Sequence, residues 1–195
     1  MNYLAHLHLA ALASEDPLYL VGGMMGDFVK GRVPEDYPVG LVAGIKLHRR
    51  IDRYTDSHTS VAKAKELFDS PYRRYAGIVL DISFDHYLSL KWNDYSTEKL
   101  EVFELNAYGE LQNYFELLPE SLQRALPLMR KHRLLTSYQT LGGVARSLDR
   151  VSRRLTRGAP LRDAFRVFEA SYPRIEQHFL NLYPDLMDFV SSEKL

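Results

Sequence analysis

A stripe of histidine and aspartate at helical spacing is the feature that most constrains this chain. His48, Asp52 and Asp56 follow one another at intervals of four residues in the segment KLHRRIDRYTD. Residues at i, i+4 and i+8 of an α-helix lie on one face, so the three side chains form one row. Such a row is compatible with a salt-bridged surface helix, because arginines flank it. It is also compatible with one half of a metal site.

A second acidic group lies in the apolar segment IVLDISFDHYLSL and consists of Asp81, Asp85 and His86. A helix that is apolar on all sides is typical of the interior of a domain. Burying an unpaired carboxylate costs several kcal/mol, so these residues need a charged or metallic partner. Imidazole nitrogens and carboxylate oxygens bind divalent cations, and facing helices can combine them in a helical core. The two groups together predict a divalent-metal centre.

Asp27 stands in GGMMGDFVKG, among small and apolar residues that indicate a core position. A carboxylate there is expected to meet a cation, either a metal or the guanidinium of Arg49 or Arg50. The glycines match neither a phosphate-binding P-loop nor a dinucleotide fingerprint. His6 and His8 are two residues apart and point about 200° from each other on a helix. At most one of them can therefore face a site, and the other is expected to be structural.

Helical periodicity dominates the chain, and neither strand-like alternation nor hairpin signals are prominent. Proline, glycine and capping residues divide the sequence into helices. The expected helices cover about 2–13, 18–30, 39–56, 61–68, 71–92 and 97–118, another starts at Pro119, and Gly142-Gly143 interrupt a further one. No repeat or long linker separates parts of the chain. The sequence therefore predicts a single all-α domain, a helical bundle, over residues 1–195.

Composition excludes several functional classes. The chain has no cysteine, so a disulfide framework, a thiolate nucleophile and a cysteine zinc site are ruled out. It contains neither a GxSxG elbow nor an HExxH or EF-hand pattern. No run reaches the roughly 18 apolar residues of a membrane span. The first residues lack the basic start of a signal peptide, so a cytoplasmic location is expected.

Charged residues are unevenly distributed along the chain, although the net charge is zero. Residues 121–170 contain 11 Lys and Arg against 3 Asp and Glu. Such an excess predicts a basic surface that attracts an acidic partner, although solvated helix faces explain it equally well. Aromatic residues are sparse in this stretch, which disfavours single-stranded nucleic acid as the partner. The residues expected to bind the partner are Arg146, Arg150, Arg153, Arg154 and Arg157.

Five segments in order, NYLAHLHLA, GDFVKG, GIKLHRRID, YTD and LDISFDHYLS, resemble the acyl carrier protein phosphodiesterase family. The resemblance covers roughly residues 2–92. It implies hydrolysis of the phosphodiester that joins 4′-phosphopantetheine to the serine of holo-acyl carrier protein. It also implies an all-α fold related to HD-domain metal phosphohydrolases, with Mn²⁺ or a similar divalent ion, Mg²⁺ and Fe²⁺ being the alternatives. Acyl carrier protein is then the partner, and neither nucleic acid nor a membrane is expected.

The HD superfamily usually shows His before Asp, whereas the adjacent pair here is Asp85-His86. Ligands therefore cannot be transferred from that pattern, and we infer them from motif position and helix face. The expected metal ligands are Asp27, His48, Asp85, His86 and His6. The expected catalytic residues are Asp27, Arg49, Asp52 and Asp81. Asp52 and Asp81 are also candidates to orient the ligating histidines, and Arg49 or Arg50 to stabilise charge on the phosphate.

Two other functions remain compatible with these residues. The first is an HD-type phosphohydrolase that acts on a nucleotide without any protein partner. The second is a non-catalytic helical module that uses its basic face to bind an acidic partner. A binding module of this kind does not require acidic residues inside apolar helices.

Overall fold

Every regular element of residues 1–155 and 161–192, the part of the chain that the computed structural model describes, is helical. The α-helices are α1 Tyr3–Ala13, α2 Pro17–Met25, α3 Val39–Ser57, α4 Thr59–Lys65, α5 Ala76–Leu90, α6 Trp92–Tyr95, α7 Leu100–Asn113, α8 Glu120–Lys131, α9 Leu134–Ser137, α10 Leu141–Arg154, α11 Leu161–Ala170 and α12 Tyr172–Ser192. Short 3₁₀ turns lie at Arg73–Tyr75 and Phe115–Leu117. The predicted all-α fold is confirmed.

Helix α5 runs through the centre of the core and packs against α1, α4, α10, α11 and α12. Its apolar side chains, such as Leu80, Phe84 and Leu88, are fully buried. Burial of side chains like these is the main driving force for such packing, at about 1.5–3 kcal/mol each. The sequence correctly indicated a buried central helix here. The first and last helices, α1 and α12, also pack together within the same core.

Helices α2 and α3 approach closely because each carries a glycine at the crossing. A Cβ on Gly22 would lie 2.3 Å from the carbonyl oxygen of Leu41, and one on Gly44 would lie 2.1 Å from that of Tyr19. Neither position could accept a side chain without a backbone shift. The glycines of α2 are therefore packing residues, and the close crossing fixes how α3 lies against α2.

Several predicted boundaries differ from the structure. Helix α2 ends at Met25, because the amides of Phe28 and Val29 both donate to its carbonyl and close a turn that contains Asp27. Helix α5 begins after the 3₁₀ turn that follows Pro71. The Gly142-Gly143 pair does not interrupt a helix. It lies in the first turn of α10, where the Thr140 hydroxyl accepts a hydrogen bond from the Gly143 amide.

Within the ranges described, no helix is both long and apolar enough to cross a membrane. A relationship to the HD-domain architecture and the single-domain boundary 1–195 stay predictions.

Candidate metal centre

Two buried imidazole rings from different helices lie face to face in the core. The ring of His6 in α1 stacks on the ring of His48 in α3, with 3.5 Å between centroids and 13° between planes. Both Nε2 atoms reach Asp52, at 3.0 Å from His6 to Oδ1 and 3.2 Å from His48 to Oδ2. One nitrogen from each histidine and one oxygen of Asp52 lie within 4.8 Å of one another. This is a spacing that one divalent cation could bridge.

The nitrogen atoms of this cluster are poorly satisfied by the protein. Among the described residues, neither ring nitrogen of His6 nor Nε2 of His48 forms an aligned hydrogen bond, although the contacts to Asp52 are short. Both histidines are at most 2% exposed. Buried polar atoms are nearly always hydrogen-bonded, so these three atoms, of which the two Nε2 atoms lie beside a carboxylate, need a further partner. The donor set fits a divalent cation.

The orientation of His48 is set by helix α2. Its Nδ1 donates a hydrogen bond of 2.7 Å to the carbonyl oxygen of Gly23, which leaves Nε2 free to act as an electron-pair donor. The ring packs on the backbone of Gly26, where a Cβ would lie 2.1 Å from Cγ of His48. The segment GGMMG therefore both orients and accommodates one histidine of the cluster. These glycines are evident in the sequence, but their contact with His48 depends on the packing of α2 against α3.

Three carboxylates face solvent beside the two rings. Asp27 Oδ1 lies 3.6 Å from Nε2 of His48, and the side chains of Asp27, Asp52 and Asp81 are each 41–43% exposed. They line a cavity of about 260 Å³, here called the acidic hollow, whose wall also includes Thr55. The Thr55 hydroxyl has no hydrogen-bond partner within the described chain. Asp52 lines the hollow and contacts both histidines, so it connects the hollow with the buried rings.

The α-amino group of Met1 also belongs to the acidic hollow. It donates a hydrogen bond of 2.9 Å to Oδ1 of Asp81 and lies 3.8 Å from Oδ1 of Asp52. Burial acts to lower the pKa of this amine, but Asp81 and Asp52 outweigh it and raise the pKa above its usual value. The amine therefore stays charged at neutral pH and offsets part of the negative charge. No sequence pattern identified it.

The two stacked rings hold protons very differently. Burial lowers the pKa of His6 to about 4, and the neighbouring His48 acts in the same direction. Burial also acts to lower the pKa of His48, but hydrogen bonding and attraction to Asp27 and Asp52 outweigh it and raise the value to about 9. Burial likewise opposes ionisation of Asp52, whose contacts with His48 and His6 nonetheless hold its pKa below the usual range. A proton on His48 is therefore the positive charge that a metal would replace.

Asp85, predicted as a metal ligand, lies outside the cluster. Its carboxylate accepts hydrogen bonds from the backbone amides of Leu4 and Ala5, at 2.8 and 3.1 Å. These amides belong to the first turn of α1 and have no acceptor within the helix. Burial raises the pKa of Asp85 to about 7, although the two amides favour its ionised form. Asp85 therefore fixes the end of α1 that carries His6, and its partners are backbone groups.

His86, also predicted as a ligand, does not line the acidic hollow. Its Nδ1 is 2.6 Å from the carbonyl oxygen of Tyr138, and its Nε2 is 2.7 Å from the hydroxyl of Tyr172. Both ring nitrogens are thus engaged away from the acidic hollow. Adjacent residues on a helix point about 100° apart, and here Asp85 contacts the start of α1 whereas His86 contacts Tyr138 and Tyr172, so the two do not meet at one site.

Three other candidates are resolved by their contacts. His8 is the structural histidine of its pair, with Nδ1 2.7 Å from the hydroxyl of Tyr183. Arg49 donates to the carbonyl oxygen of Val29 at 2.7 Å and lines a different cavity, so it is not brought to the hollow. Asp56 lines the hollow and pairs with Lys65 at 3.1 Å.

The basic surface is partly formed as predicted. Arg146, Arg150 and Arg153 of α10 line one cavity of about 870 Å³. Arg153 is also paired with Asp149 at 2.8 Å, which reduces its free charge. The side chain of Arg154 and the whole of Arg157 lie outside the described residues.

The fold and these residues define an all-helical protein with a candidate divalent-metal centre beside an acidic hollow. A family model described as acyl carrier protein phosphodiesterase matches residues 1–186. Relatives of that name share 38% identity over 189 residues in Photorhabdus laumondii, covering 96% of this chain and 94% of the relative. They share 37% in Klebsiella pneumoniae and 36% in Escherichia coli O6:H1, each over 198 residues and all of both chains. No solved structure matches. The chain belongs to the acyl carrier protein phosphodiesterase family.

Proposed function

We propose that this protein hydrolyses the phosphodiester between 4′-phosphopantetheine and the serine of holo-acyl carrier protein, in a reaction that requires a divalent cation. The observation that carries the proposal is the convergence of His6, His48 and Asp52 on one point, with ring nitrogens that lack aligned hydrogen bonds. The name shared by the relatives supplies the substrate. The products are apo-acyl carrier protein and 4′-phosphopantetheine.

The cation would be held by Nε2 of His6, Nε2 of His48 and a carboxylate oxygen of Asp52, with Asp27 beside them. Two imidazoles with carboxylates form a borderline ligand set, which favours Mn²⁺ or Fe²⁺ over the harder Mg²⁺. When bound, such a cation polarises a phosphoryl oxygen and lowers the pKa of a coordinated water. The backbone carbonyl of Gly23 keeps His48 in the tautomer that binding requires.

Asp81 is the group we assign to proton transfer. It faces the hollow from α5, where partial desolvation and the nearby charges of Asp52 and Asp56 raise its pKa above the usual value, although the Met1 amine opposes this effect. A carboxylate with a raised pKa accepts a proton from water more readily than an ordinary one. Its hydrogen bond to the amine fixes its orientation. Asp27 faces the same hollow from the turn after α2 and helps hold the cation.

Recognition of the carrier protein is assigned to α10. Arg146 and Arg153 of this helix are exposed and line the same cavity, so they offer positive charge to an acidic partner. Val151 of the same helix lines the acidic hollow. One helix therefore connects the proposed docking surface with the proposed reaction site. Charges placed in this way accelerate association more than they tighten binding.

The test is to incubate the purified protein with Mn²⁺ and holo-acyl carrier protein and to weigh the product by mass spectrometry. We expect loss of the 4′-phosphopantetheine mass, abolition of turnover by EDTA and its recovery on adding Mn²⁺. Asp52→Asn should abolish turnover, whereas Asp36→Asn, the same change at an exposed loop residue, should not. Parallel reactions with Mg²⁺ and Fe²⁺ show which cation supports turnover. Reactions with free nucleotides as the substrate test the nucleotide alternative. Full turnover in metal-free protein, or turnover of nucleotides alone, would contradict the proposal.

A further inference from the structure

Three cavities lie side by side along helix α10. The acidic hollow shares Asn2, Ile82 and Val151 with a neighbouring cavity of about 420 Å³. That cavity in turn shares Leu128 and Arg150 with the larger arginine-lined cavity. We call the middle cavity the α8–α10 groove, because residues of α8 and α10 contribute to its wall. A molecule bound in the hollow can therefore continue into the groove.

The α8–α10 groove differs chemically from the hollow. Among the described residues its wall contains no Asp or Glu, and its apolar part includes Tyr3, Phe28, Ile82, Ala125, Met129 and Leu134. This surface also includes a few polar groups, among them the hydroxyls of Ser121, Tyr138 and Ser147 and the guanidinium groups of Arg124 and Arg150. A largely apolar cavity of about 300–1,000 Å³ with a few polar groups is the usual form of a small-ligand site. The groove therefore suits a ligand without positive charge that combines apolar parts with hydrogen-bonding groups.

Pantetheine has that chemistry. Once joined to the phosphate through its 4′ oxygen, it is an uncharged chain with a gem-dimethyl group, one free hydroxyl, two amides and a terminal thiol. A phosphate in the acidic hollow places the start of this chain beside Asn2 and Ile82, at the wall common to hollow and groove. The serine oxygen on the other side of the same phosphate then keeps the carrier protein at the rim of the hollow. Because the groove shares Leu128 and Arg150 with the arginine-lined cavity, an extended chain is not blocked at its far end.

Resting on the proposed function, we propose that the α8–α10 groove binds the pantetheine arm of the substrate while its phosphodiester occupies the acidic hollow. The arm contributes affinity away from the reacting bonds, and this binding positions the phosphate for attack. The groove thus distinguishes a phosphopantetheinyl substrate from a phosphodiester without the arm.

Ala125→Trp tests this assignment by placing an indole in the groove from α8. Ala62→Trp makes the same change on an exposed position of α4 and is the matched control. Because Ala125 is half-buried, Ser121→Trp at an exposed position of the groove wall is a second variant that is less demanding on folding. Circular dichroism and thermal midpoints establish that each protein is folded.

The measurement is calorimetric binding of 4′-phosphopantetheine, pantetheine and inorganic phosphate to the Mn²⁺-loaded proteins. Wild type and Ala62→Trp should bind 4′-phosphopantetheine more tightly than phosphate, by on the order of tenfold or more. In Ala125→Trp and Ser121→Trp the ratio of these two dissociation constants should approach one, and KM for holo-acyl carrier protein should rise.

If both groove variants keep the wild-type ratio of the dissociation constants for phosphate and 4′-phosphopantetheine, the groove assignment is wrong. This holds even if the wild-type protein hydrolyses holo-acyl carrier protein as proposed. If wild type does not hydrolyse holo-acyl carrier protein, the proposed function fails. Binding of free pantetheine then still tests whether the groove accepts the arm. Pantetheine binding that the groove variants abolish supports the groove assignment. No pantetheine binding to wild type would overturn it.

Discussion

The imidazole ring of His6 lies flat on that of His48, with 3.5 Å between their centroids, and both rings turn Nε2 toward the single carboxylate of Asp52. Two imidazolium rings could not be stacked at this distance without strong repulsion. The opposite shifts of their pKa values, to about 4 for His6 and about 9 for His48, express that repulsion together with burial and the carboxylates. The arrangement therefore favours one shared positive charge between the rings and Asp52.

Loss of His6 should weaken metal binding. His6→Asn removes one of the three converging ligand atoms, so the dissociation constant for Mn²⁺ should rise by more than about tenfold. His8→Asn is the matched control, since His8 is buried in the same helix but contacts Tyr183. Calorimetric titration of Mn²⁺ into both metal-free variants checks this. Equal affinity in the two variants would remove His6 from the ligand set.

Gly26→Ala should disturb the site without removing any ligand. The added Cβ would lie 2.1 Å from Cγ of His48, so the ring must move away from Gly26. We expect Mn²⁺ affinity and turnover to fall by about tenfold or more, because metal sites tolerate little displacement of their ligands. Gly109→Ala is the control, as nothing lies within 4 Å of its added Cβ. Unchanged metal affinity in Gly26→Ala would show that His48 need not keep this position.

The sequence predicted the helices and one half of the site for physical reasons that are local. Periodicity placed His48 and Asp52 on one face of α3, and the structure brings their side chains together at 3.2 Å. The stacking of His6 on His48 depends on how α1 and α3 pack, which no local pattern records. The contact between His48 and Gly23 depends in the same way on the crossing of α2 and α3.

Asp85 and His86 show a different limit. Their apolar surroundings correctly indicated burial, and both are at most 2% exposed. Burial of a polar side chain requires a partner, but it does not say whether that partner is a metal or a backbone group. For Asp85 the partners are two amides of α1, and for His86 they include the carbonyl oxygen of Tyr138. Sequence alone gave no means of choosing between these possibilities.

His86→Asn should therefore lower stability and spare metal binding. The variant loses the hydrogen bond between Nε2 and the Tyr172 hydroxyl, at a cost of about 1–3 kcal/mol in the free energy of unfolding. Its Mn²⁺ affinity should match that of wild type, because neither ring nitrogen faces the acidic hollow. Urea unfolding and calorimetric titration measure the two quantities on the same preparation. A large loss of Mn²⁺ affinity in the folded variant would return His86 to the ligand set.

His8 should make the metal-free protein less stable as the pH falls. Burial lowers its pKa from the usual 6.5 to about 4, so between these two pH values the unfolded chain carries a proton that the native state does not. Its contribution is fully present above pH 6.5 and is lost as the pH falls from there toward 4, by on the order of 3 kcal/mol. Tyr183, Trp92 and Phe103 surround the ring and offer no acidic group to compensate.

The measurement is the free energy of unfolding of wild type and His8→Asn in EDTA between pH 4 and pH 8. The stability advantage of wild type over the variant should shrink as the pH falls through this window. His132→Asn, at an exposed position, controls for removal of an imidazole as such. A difference between wild type and His8→Asn that is constant with pH would show that the pKa of His8 is the same in the folded and unfolded states, contrary to its burial.

Reversing charge on α10 should weaken recognition of the carrier protein and leave metal binding intact. Arg146 and Arg153 are exposed, lie seven residues apart on one helix face and line the same cavity. Arg146→Glu with Arg153→Glu places negative charge where an acidic partner is proposed to dock. We expect KM for holo-acyl carrier protein to rise on the order of tenfold at low salt, with the difference from wild type shrinking as salt is added.

Arg32→Glu with Lys46→Glu makes the same change in net charge beside a different cavity, between α3 and the loop before it. The control separates local docking from long-range steering by net charge, since only the α10 pair should raise KM strongly. Equal KM values for the two double variants would place the docking surface away from α10.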